Sequence, residues 1–444
     1  MTGDNLMLRR ILILSLILLP AVSAYGDDWP QWLGPKRDGV YRETGVITEI
    51  PPAGFPVRWR ADVGHGYSGP AVADGKVYVM DYQIEDGQLT NDPGGINRLN
   101  GKERVLCFNA NTGEPIWEYA YDQPYSISYA GGPRCTPTVQ GGRVYTLGAE
   151  GRLTCLDATT GKEVWYKSLT LEYDTKTPIW GFASHPLVEG DLVYTLAGGE
   201  DSVCVALDKH TGKEVWRALS ALKPGYAPPT MISHGGTRQL LIWHPESLNS
   251  LDPSTGEVYW SVPLRPSAGM SIIGPRKLGK YLYVSAMGNI SALLELDQTR
   301  PHAEVVWRGI AKNSVYCSNS TPFLEDGTIY GCDIETGALI AADMKDGTRL
   351  WQTTKPTDNS PRRSRHATVF LVKHEERFLL FNELGDLILA KLSPEGYEEL
   401  GRQHVLDPTN EAFGRPVAWA FPAFAQKCMF ARNDKELVCL KLVD

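Results

Sequence analysis

Three arginines that lie far apart in the sequence, Arg134, Arg365 and Arg415, each stand in a short segment that also contains aromatic or histidine residues. Guanidinium groups bind carboxylates and phosphates through charge-assisted hydrogen bonds, and aromatic rings offer stacking surfaces. These residue types predict a site for a flat, anionic or sugar-like ligand. The candidate ligand-binding residues are Tyr129, Arg134, Trp180, His185, Tyr316, Asn319, Arg365, His366, Arg415 and Trp419.

The alternative is that the arginines and histidines only satisfy backbone carbonyls of their own loops. None of the three arginine segments contains an Asp or Glu, although the chain as a whole has a formal net charge of −8. We therefore predict a locally positive surface on which an anionic group is bound. Arginine side chains that point outward, or that each pair with a buried Asp or Glu, would contradict this prediction.

No motif of a known catalytic chemistry is present, so catalytic residues stay unassigned and no metal ligands are proposed. The segment Gly66-Tyr-Ser-Gly-Pro approaches the Gly-x-Ser-x-Gly pattern but ends in proline. No histidine pair has zinc spacing, and no glycine loop ends in Lys-Ser or Lys-Thr. Residues 84–102 are acidic but lack calcium-loop spacing, and we interpret them as a solvated loop, with partner binding as the alternative role.

The elements that position these residues are indicated by a tryptophan-bearing repeat. The successive tryptophans are spaced 44 to 58 residues apart, a period typical of β-propellers. The clearest copies are FNANTGEPIW at 108–117, LDATTGKEVW at 156–165, LDKHTGKEVW at 207–216, LDPSTGEVYW at 251–260 and ADMKDGTRLW at 342–351.

Each repeat reads as four short strands separated by glycine-bearing turns, which is the content of one propeller blade. The repeated tryptophan is expected to pack between neighbouring blades, with its indole N–H on an acceptor. Eight outer strands can be counted, yet the chain ends on a third strand, Leu437 to Leu442. We therefore predict an all-β, eight-bladed propeller of four-stranded antiparallel blades, in which the N-terminal strand Val57–Asp62 closes the ring.

The predicted organisation is a signal peptide at 1–24, an N-terminal extension at 25–56 and the propeller at 57–444. Arg9 and Arg10 precede an apolar run that is too short to span a bilayer, and Ala24 ends a small-residue cleavage site. This pattern predicts export to the periplasm or medium, with no transmembrane segment and no lipid anchor. Basic clusters are nearly absent, which excludes nucleic acid as an expected partner.

The eight cysteines include no adjacent pair and no Cys-x-x-Cys motif. Cys107, Cys155 and Cys439 occupy the same position in apolar third strands, so buried thiols are as well supported there as disulfides.

The phrases LDATTGKEVW and LDKHTGKEVW resemble the tryptophan-docking repeat of the pyrroloquinoline quinone (PQQ)-like propeller family. That family includes quinoprotein dehydrogenases and the outer-membrane assembly factor BamB. The segment that begins at Asp28 is also similar to the entry segment of exported proteins with this repeat, so the resemblance covers 28–444. It implies the fold, while activity differs among members. The enzymes would bring PQQ and calcium, but no residue of this chain matches their catalytic aspartate or calcium ligands.

We interpret the chain as an exported, non-catalytic binding or scaffolding propeller with a site at the mouth of its channel, without an assigned cofactor. Its ligand would be a protein partner or a small anionic or sugar-like molecule. The alternatives are a PQQ-dependent oxidoreductase acting on alcohols, sugars or polymers, and a carbohydrate-binding module.

Overall fold

The computed structural model describes residues 27–46 and 48–443. The predicted signal peptide lies outside the described residues. In the described part, no helix is long and apolar enough to cross a membrane. Among residues 27–46 and 48–443, only Leu169–Glu172 is α-helical, and Ser267–Gly269 forms a short 3-10 turn.

Eight four-stranded antiparallel blades succeed one another along the chain, so the predicted fold class is confirmed. Within blades 1 to 4 the strands follow one another from the inner to the outer edge. Blade 1 consists of Ala71–Ala73, Lys76–Asp86, Asn97–Asn109 and Pro115–Asp122. Blade 2 consists of Thr138–Gln140, Arg143–Leu147, Arg152–Asp157 and Glu163–Ser168. Blade 3 consists of Leu187–Glu189, Leu192–Leu196, Cys204–Asp208 and Glu214–Ala218. Blade 4 consists of Thr230–His234, Thr237–Trp243, Ser247–Leu251 and Val258–Pro263.

Blades 5 to 8 follow the same pattern. Blade 5 consists of Arg276–Leu278, Tyr281–Ala286, Ile290–Leu296 and Ala303–Arg308. Blade 6 consists of Phe323–Glu325, Thr328–Cys332, Leu339–Asp343 and Arg349–Thr353. Blade 7 consists of Val369–His374, Arg377–Asn382, Asp386–Ser393 and Gly396–His404. Blade 8 consists of Ala423–Ala425, Cys428–Arg432, Glu436–Lys441 and the N-terminal strand Val57–Asp62.

The closing strand pairs antiparallel with Glu436–Lys441, and its register places Trp59 opposite Cys439 and Asp62 opposite Glu436. The prediction that residues 57–62 complete the last blade is therefore confirmed. Closure matters because an open ring would expose unpaired backbone donors and acceptors at two edges.

The repeated tryptophans join each blade to the next, as predicted. Trp165 is buried and its indole N–H donates to the Lys209 carbonyl of blade 3 at 3.0 Å. The glycine of the next turn, Gly212, has φ of +69° and lies so close to the Trp165 ring that a Cβ would approach it to 2.8 Å. Only glycine suits both the left-handed backbone and this contact, which explains the Thr-Gly pair in the repeat. Trp260 departs from the rule, because it donates to Gln239 of its own blade.

The hydrophobic core is divided among the blades and the seams between them. Cys107, Cys155 and Cys439 each lie opposite the tryptophan of the neighbouring outer strand within the core. All eight cysteines are free and buried. They act as small apolar side chains that leave space for the indole ring.

The prediction of a loop over residues 84–102 is wrong for the two ends of this segment. Residues 84–86 and 97–102 extend the second and third strands of blade 1 into a long hairpin, in which Ile84 pairs with Gly101 and Gln83 with Lys102. Tyr125–Ile127 adds a further strand against Asn97–Leu99. The extra pairing satisfies the backbone of the segment, so only residues 87–96 form a loop at its tip.

The described part of the N-terminal extension passes along the inner strands of several blades. Its backbone bonds to Val72 of blade 1 and Val139 of blade 2, and Val40–Tyr41 pairs in parallel with Lys373 and His374 of blade 7. Arg276 of blade 5 donates to the carbonyls of Arg37 and Asp38. The extension therefore lies against the inner strands that line the channel. It enters at the end of the ring where the first and second strands of each blade are joined.

The aspartate in the turn before the tryptophan should make the stability of the protein depend on pH. Asp297 accepts hydrogen bonds from the backbone and hydroxyl of Thr299, which lower its pKa to about 2. A folded pKa below the unfolded value of about 3.9 means that this stability is present above pH 4. It is lost as the pH falls from about 4 to about 2. Asp297→Asn keeps the acceptor oxygen but cannot titrate. We expect it to be less stable than the unaltered protein above pH 4, and this difference in stability should disappear as the pH falls to about 2. Melting curves of both proteins would show this, and a constant difference in melting temperature would contradict it.

Candidate functional site

The N-terminal extension enters the channel at one end. At the other end lie the loops between consecutive blades, together with the turns between the second and third strands. We call this end the mouth. Its segments are residues 63–70, 87–96, 128–137, 169–186, 219–229, 264–275, 309–322, 354–368 and 405–422, together with the turns after the second strands.

Arg134 is held by its own loop. Its guanidinium donates to the carbonyls of Ser128 at 3.0 Å, Tyr129 at 2.6 Å and Gly132, and it lies 5.2 Å from the centre of the Tyr67 ring. Three carbonyls and an aromatic face compensate this cation locally, so it has little need of an external anion.

Arg415 is paired with a carboxylate that the sequence prediction overlooked. Its Nε donates to Glu383 at 2.7 Å, and the Trp419 indole N–H donates to the same carboxylate at 2.9 Å. Glu383 is fully buried, and burial raises its pKa while the Arg415 contact opposes that rise. The pair fixes the loop between blades 7 and 8 against the turn of blade 7.

Arg365 is an exposed side chain that pairs with Glu335 at 3.4 Å, and Arg363 contacts the same carboxylate. His366 stacks on Phe413 at 4.5 Å between ring centroids. Burial and the neighbouring Arg365 and Arg415 lower the pKa of His366 to about 4, so it is neutral at neutral pH.

The prediction of three arginines that share an anion is therefore wrong. Arg134 donates to carbonyls, while Arg365 and Arg415 each have a carboxylate partner. The carboxylates escaped the sequence argument because they lie in turns after second strands, not in the loops between blades. These turns come beside the loops only when the blades are assembled.

Aromatic side chains of the mouth form a connected group. The ring of Tyr129 lies 6.1 Å from that of Trp419, which lies 6.3 Å from Phe413, the partner of His366. Tyr129, His366 and Phe413 all have positive φ, a conformation that costs non-glycine residues energy and is enriched at functional sites. Trp180 contacts Tyr226 at 6.0 Å in a separate pair.

Two predicted site residues do not face an open mouth. Tyr316 is 1% exposed, and its hydroxyl donates to the Ile310 carbonyl at 2.6 Å. His185 stacks on Trp32 of the N-terminal extension at 4.9 Å and accepts from the Thr136 N–H at 2.9 Å. Burial, followed by the charge of Arg37, lowers the pKa of His185 to about 3. Both residues support the fold.

Asn319 stays available, because its Nδ2 is buried at the mouth without a hydrogen-bond partner among the described residues. Other polar atoms in the same state are Nδ1 of His65, Oδ1 of Asn91, Oδ2 of Asp434 and the hydroxyls of Tyr67 and Tyr129. A buried polar atom without a partner costs about 1–3 kcal/mol, so each is a position that a ligand group or a water molecule would stabilise.

Several of these atoms surround a cavity of about 460 Å³. One wall is the tip of the long hairpin, Leu89–Asp92, and the other is the segment Thr409–Gly414, with His65 and Asp434 beside them. The walls are joined by a hydrogen bond from Asn91 Nδ2 to Asn410 Oδ1. We call this space the hairpin cavity.

The hairpin cavity is acidic. The described residues of its lining include the carboxylates of Asp92, Glu411 and Asp434 and no Lys or Arg. Asp434 and Glu383 were both missed by the sequence prediction. The available signal was the pair Asn382-Glu383 at the end of the second strand of blade 7, which recurs in blade 8 as Asn433-Asp434.

A second cavity, of about 560 Å³, lies on the same face between Gln123 at the end of blade 1, the third and fourth strands of blade 2 and the loop that leads to blade 3. Arg152 lines it, with its guanidinium 3.7 Å from the centre of the Tyr166 ring and 4.5 Å from that of Tyr121. The exposed Leu171 stands at its rim. This surface combines apolar, aromatic and charged groups, the last including Glu150 as well as Arg152 and Lys176.

The side chains at the mouth are not suited to bind PQQ and calcium. A quinone with three carboxylates requires free cationic donors, whereas the donors of Arg134 and Arg415 are already used by carbonyls and by Glu383. Among residues 27–46 and 48–443, no group of three or more His, Cys, Asp or Glu side chains is placed to hold a metal ion.

Comparison with solved structures finds the same fold at low identity. BamB from Moraxella catarrhalis is 15% identical with a TM-score of 0.57, and the match covers 87% of this chain and 97% of that chain. Quinohemoprotein alcohol dehydrogenase from Comamonas testosteroni is 13% identical with a TM-score of 0.57, covering 94% of this chain and 80% of that chain. A europium-containing methanol dehydrogenase is 13% identical with a TM-score of 0.59, covering 93% and 89%. These likenesses show the fold alone.

No curated protein matches the sequence. A family model described as outer membrane protein assembly factor BamB matches residues 101–353 and 244–442, which together make up more than half of the chain. The chain therefore belongs to the BamB family of PQQ-like β-propellers.

Proposed function

We propose that this chain is an exported, non-catalytic scaffolding propeller that binds a protein partner with its mouth. The observation that carries the proposal is a difference between the two ends of the ring. The loops of the mouth expose large apolar side chains, while among the described residues the turns at the opposite end expose none, and the apolar side chains exposed just after those turns, such as Val164 and Val215, lie on the outer strands. The exposed apolar residues of the mouth face are Ile96, Leu171, Leu222, Ile310 and Phe413.

Two of these side chains are almost free of contacts, since Leu222 is 96% and Leu171 is 84% exposed. Isolated apolar residues are ordinary on a surface, but a set on one face beside unpaired polar atoms is typical of an interface. Apolar anchors would supply burial, and the polar atoms would supply specific hydrogen bonds. A rigid ring of blades supports both, because loops on a fixed scaffold keep their relative positions.

Export rests on the N-terminal sequence, in which Arg9 and Arg10 precede an apolar run and a small-residue cleavage site that ends at Ala24. The family description, an outer membrane protein assembly factor, agrees with a scaffolding role for an exported propeller. The quinoprotein alternative is less well supported, because the arginines at the mouth already have partners and the hairpin cavity is acidic.

The proposal predicts where a partner contacts the ring. A photo-cross-linking amino acid at Leu222 or Phe413 is expected to give a discrete protein adduct in the native host. The same group at Lys213, in an exposed turn of the opposite end, is the matched control and should give none. Adducts would be detected by a mobility shift and assigned by mass spectrometry.

Cross-linking from Lys213 alone, or no protein adduct from any position, would contradict the proposal. In parallel, the purified protein would be titrated with PQQ and calcium. Saturable binding with dye reduction would replace the scaffold interpretation with the oxidoreductase alternative.

A further inference from the structure

We propose that the hairpin cavity receives a basic side chain, a guanidinium or ammonium group of the protein partner, with the buried carboxylate of Asp434 as its acceptor. This inference rests on the proposed function and adds the chemistry of one contact. Neither the predicted arginine cluster nor the aromatic group of the mouth supplies this site.

The first observation is the sign of the charge. Asp92, Glu411 and Asp434 line the hairpin cavity, and no Lys or Arg of the described part of the chain lines it. A concave surface with charges of one sign concentrates the electrostatic potential, so this one attracts cations and repels anions. The net charge of −8 for the whole chain adds to the attraction.

The second observation is independent of the acidic cluster. The side chain of Asp434 is only 4% exposed, and its Oδ1 accepts from the Gly66 N–H at 2.9 Å. Its Oδ2 has no hydrogen-bond donor among the described residues, since Nδ1 of His65 lies 3.7 Å away, beyond hydrogen-bond distance. A buried carboxylate oxygen without a donor is costly, and a charged donor would stabilise it most.

The fully buried Arg432 does not supply this donor. Its guanidinium donates to the carbonyls of Met80, Gly64 and Asn433. These carbonyls accept three of its five N–H groups, and Oδ2 of Asp434 receives none of them. The hydrogen-bond donor that completes the Asp434 site is therefore expected from outside the chain.

The other groups of the hairpin cavity also suit a donor-rich cation. Oδ1 of Asn91 is a buried acceptor without a donor among the described residues, and Asn91 stands in the same wall as Asp92. A guanidinium has five donors in a plane, which matches two separate acceptors better than a single hydroxyl does.

The test uses small probes that differ only in charge. The full mature protein would be titrated by calorimetry at low ionic strength with N-acetyl-L-arginine amide and with its citrulline analogue, which is nearly isosteric but neutral. We expect the arginine probe to bind at least about tenfold more tightly, with an affinity that falls as salt is added. Methyl glucoside serves as the neutral hydroxylated probe and is expected to bind more weakly.

Asp434→Asn is the decisive variant, because it keeps the acceptor for Gly66 and removes the charge. It should weaken binding of the arginine probe at least about tenfold. Glu411→Gln, at the exposed rim, should weaken it less and should reduce the salt dependence. Glu398→Gln, on the exposed outer strand of blade 7, is the matched control and should bind as the unaltered protein does. Melting curves would show that each variant is folded, and Glu411→Gln keeps the test valid if Asp434→Asn is unstable.

Equal binding of the arginine and citrulline probes, tighter binding of methyl glucoside, or no binding of the arginine probe would overturn the inference. The two proposals fail separately. Adducts from Leu222 and Phe413 without charge-selective binding would leave the scaffold function standing and remove this contact. Charge-selective binding without any protein adduct would overturn the scaffold function and leave the hairpin cavity as a site for a basic group from another source.

Discussion

A protein that lacks residues 25–62 is expected to be insoluble or to melt at a much lower temperature than the full chain. The truncation removes the outer strand of blade 8 and leaves Glu436–Lys441 with an unpaired edge, which promotes aggregation. It also removes Trp59, whose indole N–H donates to the Ala110 carbonyl of blade 1 at 2.9 Å. Loss of a buried tryptophan alone costs about 3–5 kcal/mol, which in a protein of this length would lower the melting temperature by roughly 5 °C.

The control is a protein that lacks only residues 25–55. It loses the contacts of the N-terminal extension but keeps Val57–Asp62, so it should be more soluble and more stable than the longer truncation. Thermal melting and size-exclusion chromatography would be compared for both proteins. If they behave alike, or if the longer truncation melts like the full chain, strand closure is not what holds the ring together.

The second large effect is expected from the tryptophans between blades. Trp165→Ala and Trp216→Ala should each lower the free energy of unfolding by about 3–5 kcal/mol, because the ring is lost and a cavity remains. Both side chains are buried and donate to carbonyls of the following blade, Lys209 and Pro253. Chemical denaturation followed by fluorescence or circular dichroism would measure the loss.

Trp165→Phe separates the two contributions of the indole. It keeps an aromatic ring but cannot donate to Lys209, so it should lose less stability than Trp165→Ala. The control is Trp180→Ala, at the mouth, where the side chain is half-buried and should cost less. Binding of the arginine probe should be unchanged in every folded variant. Unaltered stability together with lost binding would instead make Trp165 or Trp216 part of a site.

The repeat made most of the fold predictable because each blade is local in sequence. Four strands, their turns and the tryptophan lie within one period, so alternation and glycine positions are sufficient to define a blade. The closing strand was also predictable. The last blade lacks a fourth strand, and Val57–Asp62 is a strand that belongs to no blade before it, so one can complete the other. The long hairpin of blade 1 was not, since Ile84 and Gly101 pair through backbone bonds that the acidic composition of the segment does not reveal.

The candidate site was predictable only in its location. The sequence by itself determined that the aromatic, arginine and histidine segments lie at one end of an eight-bladed ring. Only the tertiary structure decided which carboxylates lie beside the arginines and histidines of these segments. Glu383 reaches Arg415, and Asp434 reaches the loop of His65 and Gly66, through contacts between residues 32 and 368 positions apart. Such contacts depend on which turns the assembled blades bring beside which loops, and a local pattern of residues carries no record of that arrangement.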